Sequence, residues 1–306
     1  MREFDIVVAG GGIAGLTAGL TAARLGHTTL VLTGDVLGGQ LTSIDRIDGY
    51  PGFPDGIPGY DLCPMVQEQA AAAGAEMAFS NLDRLEADGV AWRITTGEED
   101  IVARGVVLAM GADLRHLDVP GEEQLQGKGV SHCASCDAPL FRGKTAIVIG
   151  GGDSGLQEGL VLADQVGKVV LIERGPALTG QASYRDAFAS RSNVETRFDT
   201  TVEAILGDAK VTGVRLTDAN GTSDIEADAV FVYIGLQPNS AAVQGLAPLD
   251  ASGHILTDPA LRTTLPGLCA AGSIRAGAAG RATGSAGDGA AAVLTLSQYL
   301  KDGAWS

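Results

Sequence analysis

The sequence predicts an α/β protein built from two similar strand–turn–helix units, the second inserted in the first. A strand, a glycine turn, a helix and another strand follow one another from Phe4, and the same order returns near residue 150. Further strand and helix segments lie far beyond the second unit, which indicates that the chain returns to complete the first.

Phe4-Asp5-Ile6-Val7-Val8-Ala9 is a short β-rich run that enters Gly10-Gly11-Gly12-Ile13-Ala14-Gly15 directly. An alanine-rich helix and the apolar strand Thr28 to Leu32 follow. In that context Gly-x-Gly-x-x-Gly is a dinucleotide-binding fingerprint. Gly10 and Gly12 permit the tight turn and the approach of a pyrophosphate to the helix N-terminus, and Gly15 lets helix and strand pack closely. Val106 to Gly111 reads as the strand that closes this unit. The pattern recurs as strand Lys144 to Ile149, a turn carrying Gly150, Gly152 and Gly155, helix Leu156 to Val166 and strand Lys168 to Ile172. Ala229 to Gly235 closes it, and short strands such as Lys210 to Leu216 fit a β-meander appended to each unit. Gly267 to Gly272 reads as a buried strand and Gly284 to Leu300 as an amphipathic helix. A lone glycine turn only caps a helix, but strand and helix flank both turns here. Two Rossmann-like three-layer dinucleotide-binding domains are therefore expected, residues 1–113 with 244–306, and 114–243.

The length of 306 residues suits two domains of roughly 100–200 residues each. A net charge of −16 repels a nucleic-acid backbone and excludes that class of partner. Met1-Arg2-Glu3-Phe4 enters a strand at once, without the basic start and apolar stretch of a secretory signal. No run approaches the roughly 20 apolar residues of a membrane span. A soluble, cytoplasmic protein is expected.

Of the four cysteines, Cys63, Cys133, Cys136 and Cys269, only one pair is close in sequence. In a reducing cytosol a close pair signals redox catalysis or metal binding. Zinc fails on ligand count, since no second close pair exists and His132, next to Cys133, projects from the opposite face of an extended segment. No metal is expected. His132 shapes the thiolate electrostatics or sits on the surface, while His27, His116 and His254 carry no motif. Cys63 and Cys269 read as small buried hydrophobes. In Cys133-Ala134-Ser135-Cys136-Asp137 a vicinal dithiol exchanges disulfides and the adjacent acid manages the proton. With two nucleotide turns in the same chain, that chemistry is expected to couple to a flavin.

Together these motifs resemble the low-molecular-weight thioredoxin reductases, FAD-dependent pyridine nucleotide-disulfide oxidoreductases, over nearly the whole chain. The resemblance rests on Gly10 to Gly15, Gly38-Gly39-Gln40-Leu41-Thr42, Tyr50-Pro51-Gly52, Pro120-Gly121-Glu122-Glu123 and Cys133 to Asp137. It extends through Gly150 to Gly155, Ile234 to Asn239 and Ser285-Ala286-Gly287-Asp288-Gly289. Cys136 to Lys144 is also similar to the reductase part of the alkyl hydroperoxide reductase flavoprotein subunit. The resemblance implies that residues 1–113 and 244–306 bind FAD, with Gly10, Gly12, Gly15, Gly39, Gln40, Gly272, Ser273, Arg281 and Ala282 around it. It implies a pyridine-nucleotide and disulfide domain at 114–243, with Gly150, Gly152, Gly155 and Glu173 at the nucleotide. Cys136 is then the sulfur facing the flavin, Cys133 exchanges with substrate, and Asp137 is the acid and base. The implied partner is a separate redoxin-like protein or small disulfide, and the implied assembly a homodimer.

Four departures from the family pattern stand out. Where NADPH-using relatives carry a basic cluster, this chain reads Leu171-Ile172-Glu173-Arg174-Gly175-Pro176. An acid about 20 residues past a glycine turn bonds a ribose 2′-hydroxyl and repels a phosphate, so NADH is favoured over NADPH. Arg174 can rescue some phosphate binding, and a solvated loop charge is the alternative for Glu173. Ala271-Gly272-Ser273 replaces the family's Ala-Gly-Asp, which weakens the FAD contact unless another residue completes it. Gly280-Arg281-Ala282 replaces Arg-Gln-Ala; Arg281 either faces the flavin pyrimidine edge and favours its anionic reduced form or forms a surface ion pair. Gly49 stands where the family often has asparagine. The altered positions leave two alternatives open, a flavin-dependent dithiol oxidase using oxygen and a thioredoxin reductase fed by ferredoxin or another non-nucleotide donor. A flavin-binding redox sensor without turnover is the competing non-enzymatic class.

Overall fold

The computed structural model describes Met1–Trp305; residue 306, the last of the expected first domain, lies outside the described residues. In the first unit β1 (Arg2–Ala9) leads into α1 (Ile13–Arg24) and β2 (Thr29–Leu32), every residue of which is buried. Strands covered on both faces need continuous apolar runs rather than alternation, as β1 and β2 show. After α2 (Gly59–Ala72), β3 (Glu76–Ala78) pairs with β2. The hairpin of β4 (Arg84–Asp88) and β5 (Ala91–Thr95) continues onto β6 (Asp100–Leu108). β6 runs parallel to β1 along nearly its whole length, in register from Arg2↔Ile101 to Ala9↔Leu108. Its sequence records the change of environment, half-exposed at the hairpin end and fully buried from Gly105 to Leu108.

The chain leaves this unit through β7 (Ala112–Leu114). The second unit begins with β8 (Val130–Ser131) and the single helical turn α3 (Ala134–Asp137). The repeat of strand and helix follows as β9 (Thr145–Ile149), α4 (Asp153–Ala163), β10 (Lys168–Ile172), α5 (Ala182–Ala189) and β11 (Val194–Arg197). A three-stranded meander comes next, β12 (Thr201–Gly207), β13 (Val211–Asp218) and β14 (Gly221–Glu226). β15 (Ala229–Val232) then enters the parallel sheet, whose order is β11-β10-β9-β15-β8. One apolar cluster packs α4 and α5 onto one face of that sheet, and a second packs the meander onto the other. Those are the three layers. The chain exits through β16 (Leu236–Pro238) and returns as β17 (Leu268–Ala270), parallel to the end of β6, and α6 (Ala282–Asp302).

The expected insertion is present, as unit Met1–Asp113 with the segment from Gln237 onward, and unit Leu114–Leu236. The second crossing lies seven residues earlier than the sequence placed it, because Val243 is fully buried in the core of the first unit. Helix α4 starts at Asp153 instead of Leu156, since the glycine turn runs straight into the helix. α6 lies against α1 at a distance only glycine permits: a Cβ on Gly289 would sit 2.0 Å from the Ala14 carbonyl oxygen. Among the described residues no helix is long and apolar enough to cross a membrane.

Candidate functional site

The first glycine turn is shaped by two close approaches and one opening. Gly10 has φ +120°, and a Cβ there would lie 2.2 Å from the Ala109 carbonyl oxygen. A Cβ on Gly15 would lie 1.8 Å from the Gly10 oxygen. Gly12, by contrast, has nothing within 4 Å of where its Cβ would be. It precedes α1 with no side-chain cap and no acid in the first turn. The first amides of α1 therefore point into open volume at the positive end of the helix dipole, which suits an anionic pyrophosphate. Gly38 closes on this turn, donating to the Gly11 oxygen at 2.8 Å; a Cβ on Gly39 would be 3.7 Å from the Gly12 Cα. Gly272 reaches the same place, since a Cβ there would meet the Ala14 methyl at 2.9 Å. The residues and the open cradle fit FAD.

The other residues expected at the flavin are Gln40, Ser273, Arg281 and Ala282. Gln40 is exposed and its side-chain amide donates to the Ala112 oxygen. Arg281 precedes α6 as its cap and is exposed, one guanidinium nitrogen 3.4 Å from its own loop's Gly280 oxygen. Ala282 is the first residue of α6. Ser273 is half-buried beside Gly272. A carboxylate does reach the neighbouring residue: Asp288 Oδ2, on α6, accepts from the Gly272 amide at 3.1 Å. Arg275 holds that carboxylate from both sides, Nε to Oδ2 at 2.7 Å and Nη2 to Oδ1 at 2.9 Å. Asp288 lay inside a motif quoted above, but its partner thirteen residues away follows no local period.

The second glycine turn repeats the first with one electrical difference. Cβ atoms on Gly150 and Gly155 would lie 2.2 Å and 1.9 Å from backbone oxygens, while Gly152 faces only Thr179 Oγ1, at 3.9 Å. Asp153 occupies the first turn of α4 and accepts from the Gln181 amide. Glu173 closes the turn: its Oε2 accepts from Gly151 N at 2.7 Å and its Oε1 from Gly175 N at 2.8 Å. The carboxylate is thus fixed against the glycine loop and is no freely solvated charge, while Arg174 beside it is exposed. Each oxygen keeps a lone pair for a further donor.

In the same unit Cys133 and Cys136 form a disulfide, Cα atoms 5.3 Å apart, across the single turn α3. Ser131 Oγ accepts from the Cys133 amide at 3.1 Å. Glu158, on α4, accepts from the Ala134 amide at 3.1 Å and from the Tyr233 hydroxyl at 3.4 Å. Burial, reinforced by the Glu158 charge, pushes the Tyr233 phenol far above its ordinary range, so it remains a neutral donor. Ser131, Glu158 and Tyr233 were missed by the sequence reading; they hold the dithiol turn by contacts that only the tertiary fold creates. Asp137 is half-buried at the end of α3, with exposed Pro139 and Leu140 following it.

The other two cysteines are fully buried in the first unit. Burial raises the Cys63 thiol to about 11 and the Cys269 thiol higher still. Both thiols thus stay protonated near neutral pH, and the thiolate is the reactive form. After reduction of the native protein, iodoacetamide is therefore expected to label two cysteines per chain, Cys133 and Cys136; peptide mass spectrometry checks this, and labelling of Cys63 or Cys269 at the same rate contradicts it.

Residues 4–289 match the family described as pyridine nucleotide-disulphide oxidoreductase. The chain is 36% identical to the thioredoxin reductase of Treponema pallidum over 303 residues, covering 97% of both. It is 37% identical to that of Listeria monocytogenes over 305 residues, covering 98% of this chain and 95% of the other. The crystal structure of Lactococcus lactis thioredoxin reductase in its FR conformation matches with a TM-score of 0.94 at 31% identity, covering 98% of this chain and 99% of the other.

Proposed function

The chain belongs to the pyridine nucleotide-disulphide oxidoreductase family, and from that premise we propose that it takes electrons from NADH, in preference to NADPH, and delivers them through FAD and Cys133–Cys136 to a disulfide partner. The enzyme is an FAD-dependent disulfide oxidoreductase of the thioredoxin reductase type. The partner is a separate redoxin-like protein or a small disulfide, and the enzyme works in the reducing cytoplasm as a homodimer. The observation that carries the proposal is a bonded cysteine pair held by Ser131 and Glu158, in one unit with an open nucleotide turn.

FAD held at the first turn would provide the chemistry of hydride acceptance from a nicotinamide and two-electron reduction of a disulfide. The chain's own residues do the rest. Gly10, Gly12, Gly15, Gly39 and Gly272 admit the pyrophosphate to the first amides of α1, and the Arg275–Asp288 pair holds the Gly272 turn in which Ser273 lacks a charge. Gly150, Gly152 and Gly155 admit the nicotinamide nucleotide. Two electrons break the Cys133–Cys136 bond; Cys133 attacks the external disulfide and releases its first thiol, then Cys136 attacks Cys133 to release the second and restore the bond. Asp137 moves the protons of these thiols. In sum, NADH, a proton and a disulfide give NAD⁺ and two thiols.

The donor preference rests on Glu173, whose fixed carboxylate accepts from a ribose hydroxyl and repels a 2′-phosphate. Anaerobic titration of the flavin colour is expected to show bleaching by NADH at lower concentration than by NADPH. Glu173→Gln keeps the shape and removes the charge, and should narrow that preference by about tenfold. If both nucleotides leave the flavin oxidised while reduced ferredoxin or a dithiol bleaches it, the donor assignment fails.

A further inference from the structure

Next to the dithiol, three side chains that disulfide exchange does not use come together. Candidate ligand atoms of His116, Glu122 and His132 all lie within 4.8 Å of one another, inside the second unit. Glu122 is buried, and its two oxygens accept from the amides of Leu117 at 3.0 Å and Asp118 at 2.8 Å. Those bonds fix the carboxylate and leave it lone pairs to spare. His116 Nδ1 is 3.6 Å from Glu122 Oε1, and its ring meets His132 edge-on with centroids 5.6 Å apart.

His132 supplies the telling detail. Its Nδ1 lies 3.1 Å from the Val232 carbonyl oxygen. A carbonyl only accepts, so Nδ1 carries the proton and Nε2 presents a lone pair. That Nε2 is buried and has no hydrogen-bond partner. A buried acceptor left unpaired is destabilising, so a bare nitrogen at this place calls for an occupant. An imidazole anchored through one nitrogen to a backbone carbonyl, with the other free, is how metal-ligating histidines are held.

We propose that His116 Nδ1, one Glu122 oxygen and His132 Nε2 form a binding site for a divalent cation of the zinc class, with water as the fourth ligand. Two imidazoles and a carboxylate are a donor set that zinc favours, and three protein ligands leave one position open. Bonds of about 2.0–2.2 Å around a tetrahedral ion bring ligand atoms to roughly 3.3–3.5 Å from one another. The present spread needs a closing movement of about an ångström, which His116 can make because its side chain is 64% exposed. The net charge of −16 draws cations toward the surface. His132 directly precedes Cys133, so an ion here stiffens the segment entering the dithiol.

The test uses the holoprotein, chelator-treated and oxidised so that Cys133 and Cys136 remain bonded. Titration with Zn²⁺ should give one equivalent per chain, and Co²⁺ in its place should give the visible bands of a four-coordinate site. His116→Ala and His132→Ala should each weaken binding by about tenfold or more, with His27→Ala as an unaffected control; thermal melting of each metal-free variant shows that it folds. Native protein that takes up no stoichiometric Zn²⁺, or unchanged binding in either site variant, overturns the proposal.

Discussion

Cys136→Ser is expected to lower disulfide reduction by about a thousandfold or more while leaving NADH-driven reduction of an artificial dye within a few-fold of native. The two activities separate because they use different atoms. Dye reduction needs the nucleotide and the flavin, whereas disulfide reduction also needs both sulfurs, and a hydroxyl can neither share the disulfide nor resolve a mixed one. Serine is close to cysteine in size, and the contacts that hold the turn, Ser131 to the Cys133 amide and Glu158 to the Ala134 amide, do not involve the Cys136 side chain. The turn should therefore survive. Parallel assays with NADH, one with a disulfide acceptor and one with dye, make the measurement. Retained disulfide reduction removes Cys136 from the mechanism, and loss of both activities shows that the flavin site has collapsed. The same assays separate the enzyme from a flavin-binding sensor, which would not bleach and recover its colour over repeated cycles.

What the sequence disclosed and what it hid divide along a physical line. Both glycine turns were legible because each is a local pattern: the residues that close the turn, admit a phosphate and let the helix approach lie within six positions of one another. The buried parallel strands were legible as apolar runs, and Lys168–Ile172 keeps the bounds its composition suggested. Contacts made across the fold left no such trace. Asp288 and Arg275 meet because α6 folds back onto the turn after β17, Glu158 reaches Ala134 because α4 passes beside α3, and His132 joins His116 and Glu122 from further along the chain. The boundary near residue 237 was misplaced for the same reason, since Val243 belongs to a core whose other members lie far away in sequence. Glu173 was singled out by spacing alone, but its double anchorage on Gly151 and Gly175 is a tertiary fact.

Gly12→Asp and Gly15→Ala should fail in opposite ways, and the contrast tests whether α1 receives the cofactor. Gly15 is a packing glycine: its Cβ would stand 1.8 Å from the Gly10 oxygen, a backbone atom with no rotamer to escape into. Overpacking costs typically ~1–3 kcal/mol and a backbone clash belongs at the upper end, so Gly15→Ala should lower the melting temperature of the FAD-free protein by roughly 5–10 °C. Gly12 is different. Its backbone is extended, at φ −75° and ψ 177°, and open space surrounds the position of its Cβ. Aspartate is a favoured helix N-cap and complements the dipole, so the FAD-free Gly12→Asp protein should melt at or above the native temperature. Yet the new carboxylate would occupy the amides offered to the pyrophosphate and repel its charge. Retained flavin, measured by absorbance after gel filtration and by fluorescence titration with free FAD, should fall about a hundredfold in affinity. Melting curves and FAD binding on the two variants decide the matter together: if Gly12→Asp keeps FAD as tightly as the native chain, the pyrophosphate does not sit at the N-terminus of α1.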